Sequence, residues 1–220
     1  MKRICTTWLL LFLCFAANAL APGGSSVFPD QLKCEYLVNP KGIDELHPRL
    51  SWILQATDTG AFAQRQTAYR ILVAATEKEL DENKGTLWSS GWINSDEMQH
   101  IEYKGRPLQS DQPCFWKVSV KDEKGRTSAW SHTASWTMGL LQPGDWQAAW
   151  IGSDELFDPH QKDCNISDPW LRKTFELAAA PGKANIFIAS VGYHELYVNG
   201  KKISDNVLAP AVTDHAKSAR

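Results

Sequence analysis

Phe115-Trp116-Lys117-Val118-Ser119-Val120-Lys121-Asp122 alternates along its length, with Trp116, Val118 and Val120 on one side and Lys117, Ser119 and Lys121 on the other. That two-residue period is the mark of a β-strand with one buried face. Asp122-Glu123-Lys124-Gly125 follows as a turn with glycine at its last position. Outward from this strand, short apolar segments recur between turn residues: Leu32–Leu37, Arg49–Gln55, Ala68–Ala74, Trp88–Ile93, His100–Tyr103 and Ala134–Met138. No helical-period segment competes, except a single turn at Thr76–Glu82, where Thr76 caps and Glu79, three residues on, completes a capping box. Seven strands between residues 32 and 138 predict an all-β antiparallel sandwich.

Pro48-Arg49-Leu50-Ser51-Trp52, Tyr69-Arg70-Ile71-Leu72-Val73, and Trp116–Val120 through Gly125 to Ser128-Ala129-Trp130-Ser131 resemble a fibronectin type III or immunoglobulin-like sandwich, expected over residues 31–140. Gly139–Asp145, holding Pro143 and Gly144, separates it from a second unit over residues 145–220. There the expected strands are Trp146–Gly152, Leu171–Leu177 and Ala184–Ser190, with Pro181-Gly182 as a turn. A hairpin follows at Gly192–Ile203, where Asn199-Gly200 favours the type I′ turn that needs φ > 0 at both central residues. The chain carries ten Trp, of which Trp88, Trp92, Trp116, Trp130 and Trp136 are read as sandwich core.

A formal net charge of -2 offers neither nucleic acid nor an anionic membrane a positive field. At the N-terminus, Lys2 and Arg3 precede an apolar run from Trp8 to Ala17, and Ala17-Asn18-Ala19 supplies a small-x-small site. Residues 1–19 therefore read as a signal peptide, cleaved before Leu20 and implying a secreted or periplasmic protein. The run is too short for a transmembrane helix, and Leu13 before Cys14 departs from a lipid-attachment signal. Cys34, Cys114 and Cys164 remain in a compartment that permits disulfides. A Cys34–Cys114 bridge and free buried thiols both stay open. Asn165-Ile166-Ser167 has the pattern of a glycosylation sequon.

Val38-Asn39-Pro40-Lys41-Gly42-Ile43-Asp44, followed by Pro48–Trp52, and the block from Trp170 to Pro210 resemble the N-terminal region of bacterial α-L-rhamnosidases, glycoside hydrolase family 78. The resemblance runs from about Leu32 to the end. It implies a sandwich followed by the first part of a galactose-binding-like jelly roll, here incomplete. It also implies a parent enzyme that removes terminal α-L-rhamnose from glycans by inversion, using two carboxylates in a downstream (α/α)₆ barrel. No catalytic residue is expected in these 220 residues, and the second unit is expected to pack against domains further along the parent chain.

Glu195 before the turn and Asp205 after it read as solvent-facing acids rather than a hydrolytic pair. The acidic stretch Asp154, Glu155, Asp158, Asp163 and Asp168 has the oxygen chemistry of calcium but no EF-hand spacing, and His160 with Cys164 lacks further ligands, so no cofactor is expected. For saccharide binding, the candidates are Asn199, Asp205 and Asn206 for hydroxyls, with Tyr193 or Tyr197 as a stacking face. Some rhamnosidases carry a related calcium-assisted rhamnose-binding module, carbohydrate-binding module family 67. The family's pattern after the hairpin holds two aromatics, where this chain has Pro210-Ala211-Val212-Thr213-Asp214-His215. The alternative function is a stand-alone carbohydrate-binding or protein-interaction module, since Ser128-Ala129-Trp130-Ser131 resembles half of the Trp-Ser box of cytokine receptors, although a Trp anchoring the last hairpin explains it as well.

Overall fold

The computed structural model describes residues 24–57, 60, 62–152 and 170–210. Two antiparallel sheets face each other. One has the order β1-β2-β5, from β1 (Val27–Cys34), β2 (Arg49–Ala56) and β5 (Ile101–Glu102). The other has the order β4-β3-β6-β7, from β3 (Ala68–Ala74), β4 (Trp88–Ser89), β6 (Pro113–Lys121) and β7 (Ala134–Thr137). The expected all-β sandwich is present.

The alternation read in Phe115–Asp122 holds for its apolar side, but the expected single buried face is corrected, because Lys117 and Ser119 on the other side are buried as well. Trp116, Val118 and Val120 are fully buried between the sheets, with Ile71 and Val73 from β3 and Leu50 and Trp52 from β2. Aromatic edges lock this layer: Trp52 meets Tyr69 at 5.4 Å, Trp88 meets Tyr103 at 5.5 Å and Tyr103 meets Trp136 at 6.0 Å, all T-shaped. The opposite face of β6 is stabilised differently. The Lys117 ammonium lies 5.1 Å and the Arg70 guanidinium 5.7 Å from the Trp130 ring centre, so the long side chains lie over indole carbon. Helix α1 (Glu77–Asp81) covers the end of this face by burying Leu80 against Leu72 and Ala74. Its capping box forms as expected, with Glu79 N donating to Thr76 Oγ1 and Thr76 N to Glu79 Oε2, each at 3.2 Å.

Ser128-Ala129-Trp130-Ser131 is explained by the hairpin. Val120 N donates to Ser128 Oγ at 3.0 Å and Val118 N to Ser131 Oγ at 3.1 Å, so the two hydroxyls supply acceptors where β7 has not yet begun. The segment around Asn39 closes the other side of β7. Asn39 Oδ1 accepts from Ser135 N at 2.8 Å, and Pro40 O from Thr137 N at 3.0 Å, which covers an edge that would otherwise be open.

Several expectations are corrected. The first strand runs over Val27–Cys34, not Leu32–Leu37, because Cys34 and Leu37 exchange two backbone hydrogen bonds at 3.0 Å and reverse the chain at Glu35-Tyr36. The fourth strand ends at Ser89, where Gly91 at φ 65° leaves the ladder, and Ile93 rejoins Tyr69 through one isolated bridge. Of the five tryptophans read as core, Trp116 and Trp136 are buried between the sheets. Trp88 packs at the core's edge and Trp130 at the outer cluster, while Trp92 is exposed and held by the Lys121 ammonium 4.8 Å from its ring. Cys34 and Cys114 are buried free thiols in the common core. Burial pushes both thiols up, Cys114 to about 12, so little reactive thiolate exists at neutral pH.

In the second unit, the described residues form one hairpin, β8 (Tyr197–Val198) with β9 (Lys201–Lys202). Its turn is as expected, with Asn199 at φ 49° and Gly200 at φ 78°. Trp146–Gly152, Leu171–Leu177 and Ala184–Ser190 are not strands among the described residues. A strand exists only through a neighbour that takes its hydrogen bonds, and these segments have none there. Leu171, Phe175, Leu177, Ile186 and Ile188 are correspondingly exposed.

Candidate functional site

The hairpin carries the residues expected to meet a saccharide. Asn199 stands at the turn, Asp205 and Asn206 lie in the exposed segment after β9, and Tyr193 follows Gly192 with 53% of its surface open. Gly192 takes φ 93°, and His194 N donates to Ala209 O at 2.9 Å, which ties the start of the hairpin to the segment beyond Asp205. Ser190 Oγ lies 2.8 Å from His194 Nδ1. Among the described residues, no hydrogen bond joins Tyr193, Asn199, Asp205 and Asn206 to one another; the backbone N of Asn206 donates to Ser204 Oγ at 3.1 Å. The turn explains Asn199 as well as any ligand does.

Glu195 is engaged on both oxygens: Lys202 Nζ pairs with Oε1 and Tyr197 OH donates to Oε2 at 2.8 Å. The Lys202 hydrogen bond, seconded by Tyr197, holds the carboxyl below its usual range. A general acid for glycoside cleavage needs the opposite environment, one that keeps its proton at neutral pH. The hydrogen bond also uses the Tyr197 hydroxyl, leaving its half-exposed ring as an apolar face.

The acidic stretch from Asp154 to Asp168, His160, Cys164 and the Asn165 sequon lie outside the described residues, as does the segment 1–19. Among the described residues, no three His, Cys, Asp or Glu side chains converge on a metal-sized point, and no helix is long and apolar enough to cross a membrane. One polar constellation was not expected from the residues. Glu35 and Arg49 form a two-armed ion pair, and Arg49 and His100 hold the Tyr36 ring from two sides. It joins residues up to 64 positions apart, and Glu35-Tyr36 carries no glycine or asparagine to announce its turn.

Two family models match the chain: the Rha78A-like, N-terminal immunoglobulin domain over residues 29–142, and the alpha-L-rhamnosidase N-terminal domain over residues 179–220. The chain belongs to the Rha78A-like immunoglobulin-domain family and corresponds to the N-terminal region of α-L-rhamnosidases. An alpha-L-rhamnosidase of Formosa agariphila is 29% identical over 235 residues, covering 99% of this chain and 24% of that protein. One from Alteromonas sp. (strain LOR) is 34% identical, covering 86% of this chain and 21% of its own length. The chain thus spans a quarter or less of these relatives. Among solved structures, α-L-rhamnosidase from Dictyoglumus thermophilum matches 58% of the chain at 34% identity and a TM-score of 0.54. The Streptomyces avermitilis enzyme, complexed with L-rhamnose, matches the same share at 35% identity and 0.53.

Proposed function

We propose that this chain is the non-catalytic N-terminal portion of a secreted or periplasmic α-L-rhamnosidase that hydrolyses terminal α-L-rhamnose from glycans or glycosides. The observation that carries the reading is the succession of the two family matches, residues 29–142 and then 179–220, in a chain corresponding to 24% of a relative named for this activity. In this reading, residues 31–140 and 145–220 are separate units, and the catalytic carboxylates belong to a barrel outside these residues. The exposed Leu171, Phe175 and Leu177 support packing of the second unit against the rest of the parent protein. The polar groups of Asn199, Asp205 and Asn206, beside Tyr193, stay available to a saccharide.

The test compares this chain with the protein produced by extending the reading frame beyond Arg220. The extended protein is expected to release L-rhamnose from an aryl α-L-rhamnoside, with the β-anomer appearing first by NMR, while the 220-residue chain releases none. Release by the short chain, or none by the extended one, overturns the reading. Mature protein beginning at Leu20 checks the leader.

A further inference from the structure

The reversal at Cys34–Leu37 is a two-residue turn whose central residues, Glu35 at φ 47° and Tyr36 at φ 65°, both take the left-handed conformation. This is the backbone that Asn-Gly adopts readily at residues 199–200, whereas a residue with a larger side chain takes it against the clash of its Cβ with the following carbonyl oxygen. Two further residues beside it are left-handed without being glycine: Gln31 at φ 49° and His100 at φ 58°. Gln31 sits in a bulge, where the β1–β2 register slips between Asp30 and Lys33. Bulges re-aim side chains, and four of the ten left-handed non-glycine residues among those described fall at this one place, where such strain suggests a use for it.

Gln31, Tyr36 and His100 surround one hollow of about 180 Å³ on the β1-β2-β5 sheet, with Lys33, Ser51, Ile53 and Gln99 among its other lining residues. Its aromatic wall is fixed before any ligand arrives. The Arg49 guanidinium lies 5.1 Å from the Tyr36 ring centre, and the His100 ring meets it edge-on at 5.6 Å, with Tyr36 OH 3.0 Å from Nε2. Arg49 is itself held by Glu35, through Nε to Oε1 at 3.1 Å and Nη2 to Oε2 at 2.5 Å. The far wall is equally tied. Trp52 N donates to Met98 O at 3.0 Å, and the buried Gln66 binds Ser95 O and Glu97 O just before Gln99 and His100. By contrast, the side chains of Gln31, Lys33, Ser51 and Gln99 make no hydrogen bond among the described residues.

We infer that this hollow is a binding site for a single sugar ring, distinct from the hairpin. A pyranose has hydroxyls that match two amides, a hydroxyl and an ammonium, and an apolar C–H face that matches a tyrosine ring. The volume falls below the roughly 300–1,000 Å³ of larger ligand sites, so it takes one ring or the end of a chain. The choice of sugar as occupant rests on the rhamnosidase reading, whereas the strain and the unspent hydrogen-bonding groups do not.

The test is an NMR titration of the isotope-labelled 220-residue chain with L-rhamnose and, separately, D-glucose, following the side-chain amides of Gln31 and Gln99. Saturable shifts in the millimolar range are expected with at least one sugar, weakened about tenfold or more in Tyr36→Ala and in Gln99→Ala. Lys84→Ala, at an exposed position outside the hollow, is expected to leave them unchanged. Preserved signals from the buried Trp116 and Trp136 indoles show that each variant is folded. Absence of saturation with both sugars overturns the proposal, as do shifts that survive Tyr36→Ala. Rhamnose release by the extended protein is read separately, so the two proposals fail independently.

Discussion

Asp122 is fully buried, and burial alone would raise its pKa. Hydrogen bonds reverse that: Ser26 N, Lys124 N, Arg126 N and Arg126 Nε donate to its two oxygens at 2.7–3.0 Å, holding the carboxyl down to about 2. The carboxylate therefore ties the approach to β1 to the turn after β6. Because the folded pKa lies below the unfolded one, its stabilisation is complete above pH 4 and is lost as the pH falls toward 2; the shift is worth about 2 kcal/mol. Asp122→Asn is expected to lower stability by about that amount at pH 6 and to flatten the acid limb. Urea unfolding followed by tryptophan fluorescence at pH 6 and pH 3 measures both. In the sequence, Asp122 was legible only as the first residue of a turn. Its burial depends on Ser26, 96 positions away, and no local pattern reports such a partner.

At the level of elements, local chemistry was legible wherever neighbours in sequence complete the motif. Thr76 and Glu79 cap their helix reciprocally, Asn199-Gly200 makes its hairpin turn, and Ala68–Ala74 starts and stops where the pattern indicated. Glu35-Tyr36 was not legible, because its strained turn is held by Arg49 of β2 and by His100 just before β5. Nor was the approach of Gly105 to the end of the Leu87 segment. Leu87 O accepts from Arg106 N at 3.0 Å and Tyr103 OH at 3.3 Å, and a Cβ on Gly105 would sit 2.5 Å from that oxygen. Gly105→Ala is thus expected to cost about 1–3 kcal/mol by forcing β5 and the Leu87 segment apart, read as a lower urea midpoint with an unchanged slope.

At the scale of the whole molecule, the sandwich and the second unit differ in what they bury. The sandwich closes around Leu50, Trp52, Trp116 and Trp136, whereas Trp170, Leu171 and Phe175 are exposed. Local opening is easiest where few apolar contacts form. Limited proteolysis is therefore expected to cut first within residues 146–152 or 170–210 and to leave a resistant fragment containing residues 27–139, identified by mass spectrometry; early cuts inside β3 or β6 would contradict this. The sequence by itself determined the all-β class, six of the seven sandwich strands to within a few residues, the capped turn at Thr76 and the hairpin at Asn199, because each is a local period or a contact between near neighbours. Only the tertiary structure decided that Trp92 stays outside while Trp116 goes in, that β1 bulges at Gln31, and that a hollow opens beside Tyr36. It also left Leu171–Leu177 and Ala184–Ser190 unpaired among the described residues. Burial and pairing of this kind depend on groups distant in the chain, and a strand pattern states the capacity to pair without supplying the partner.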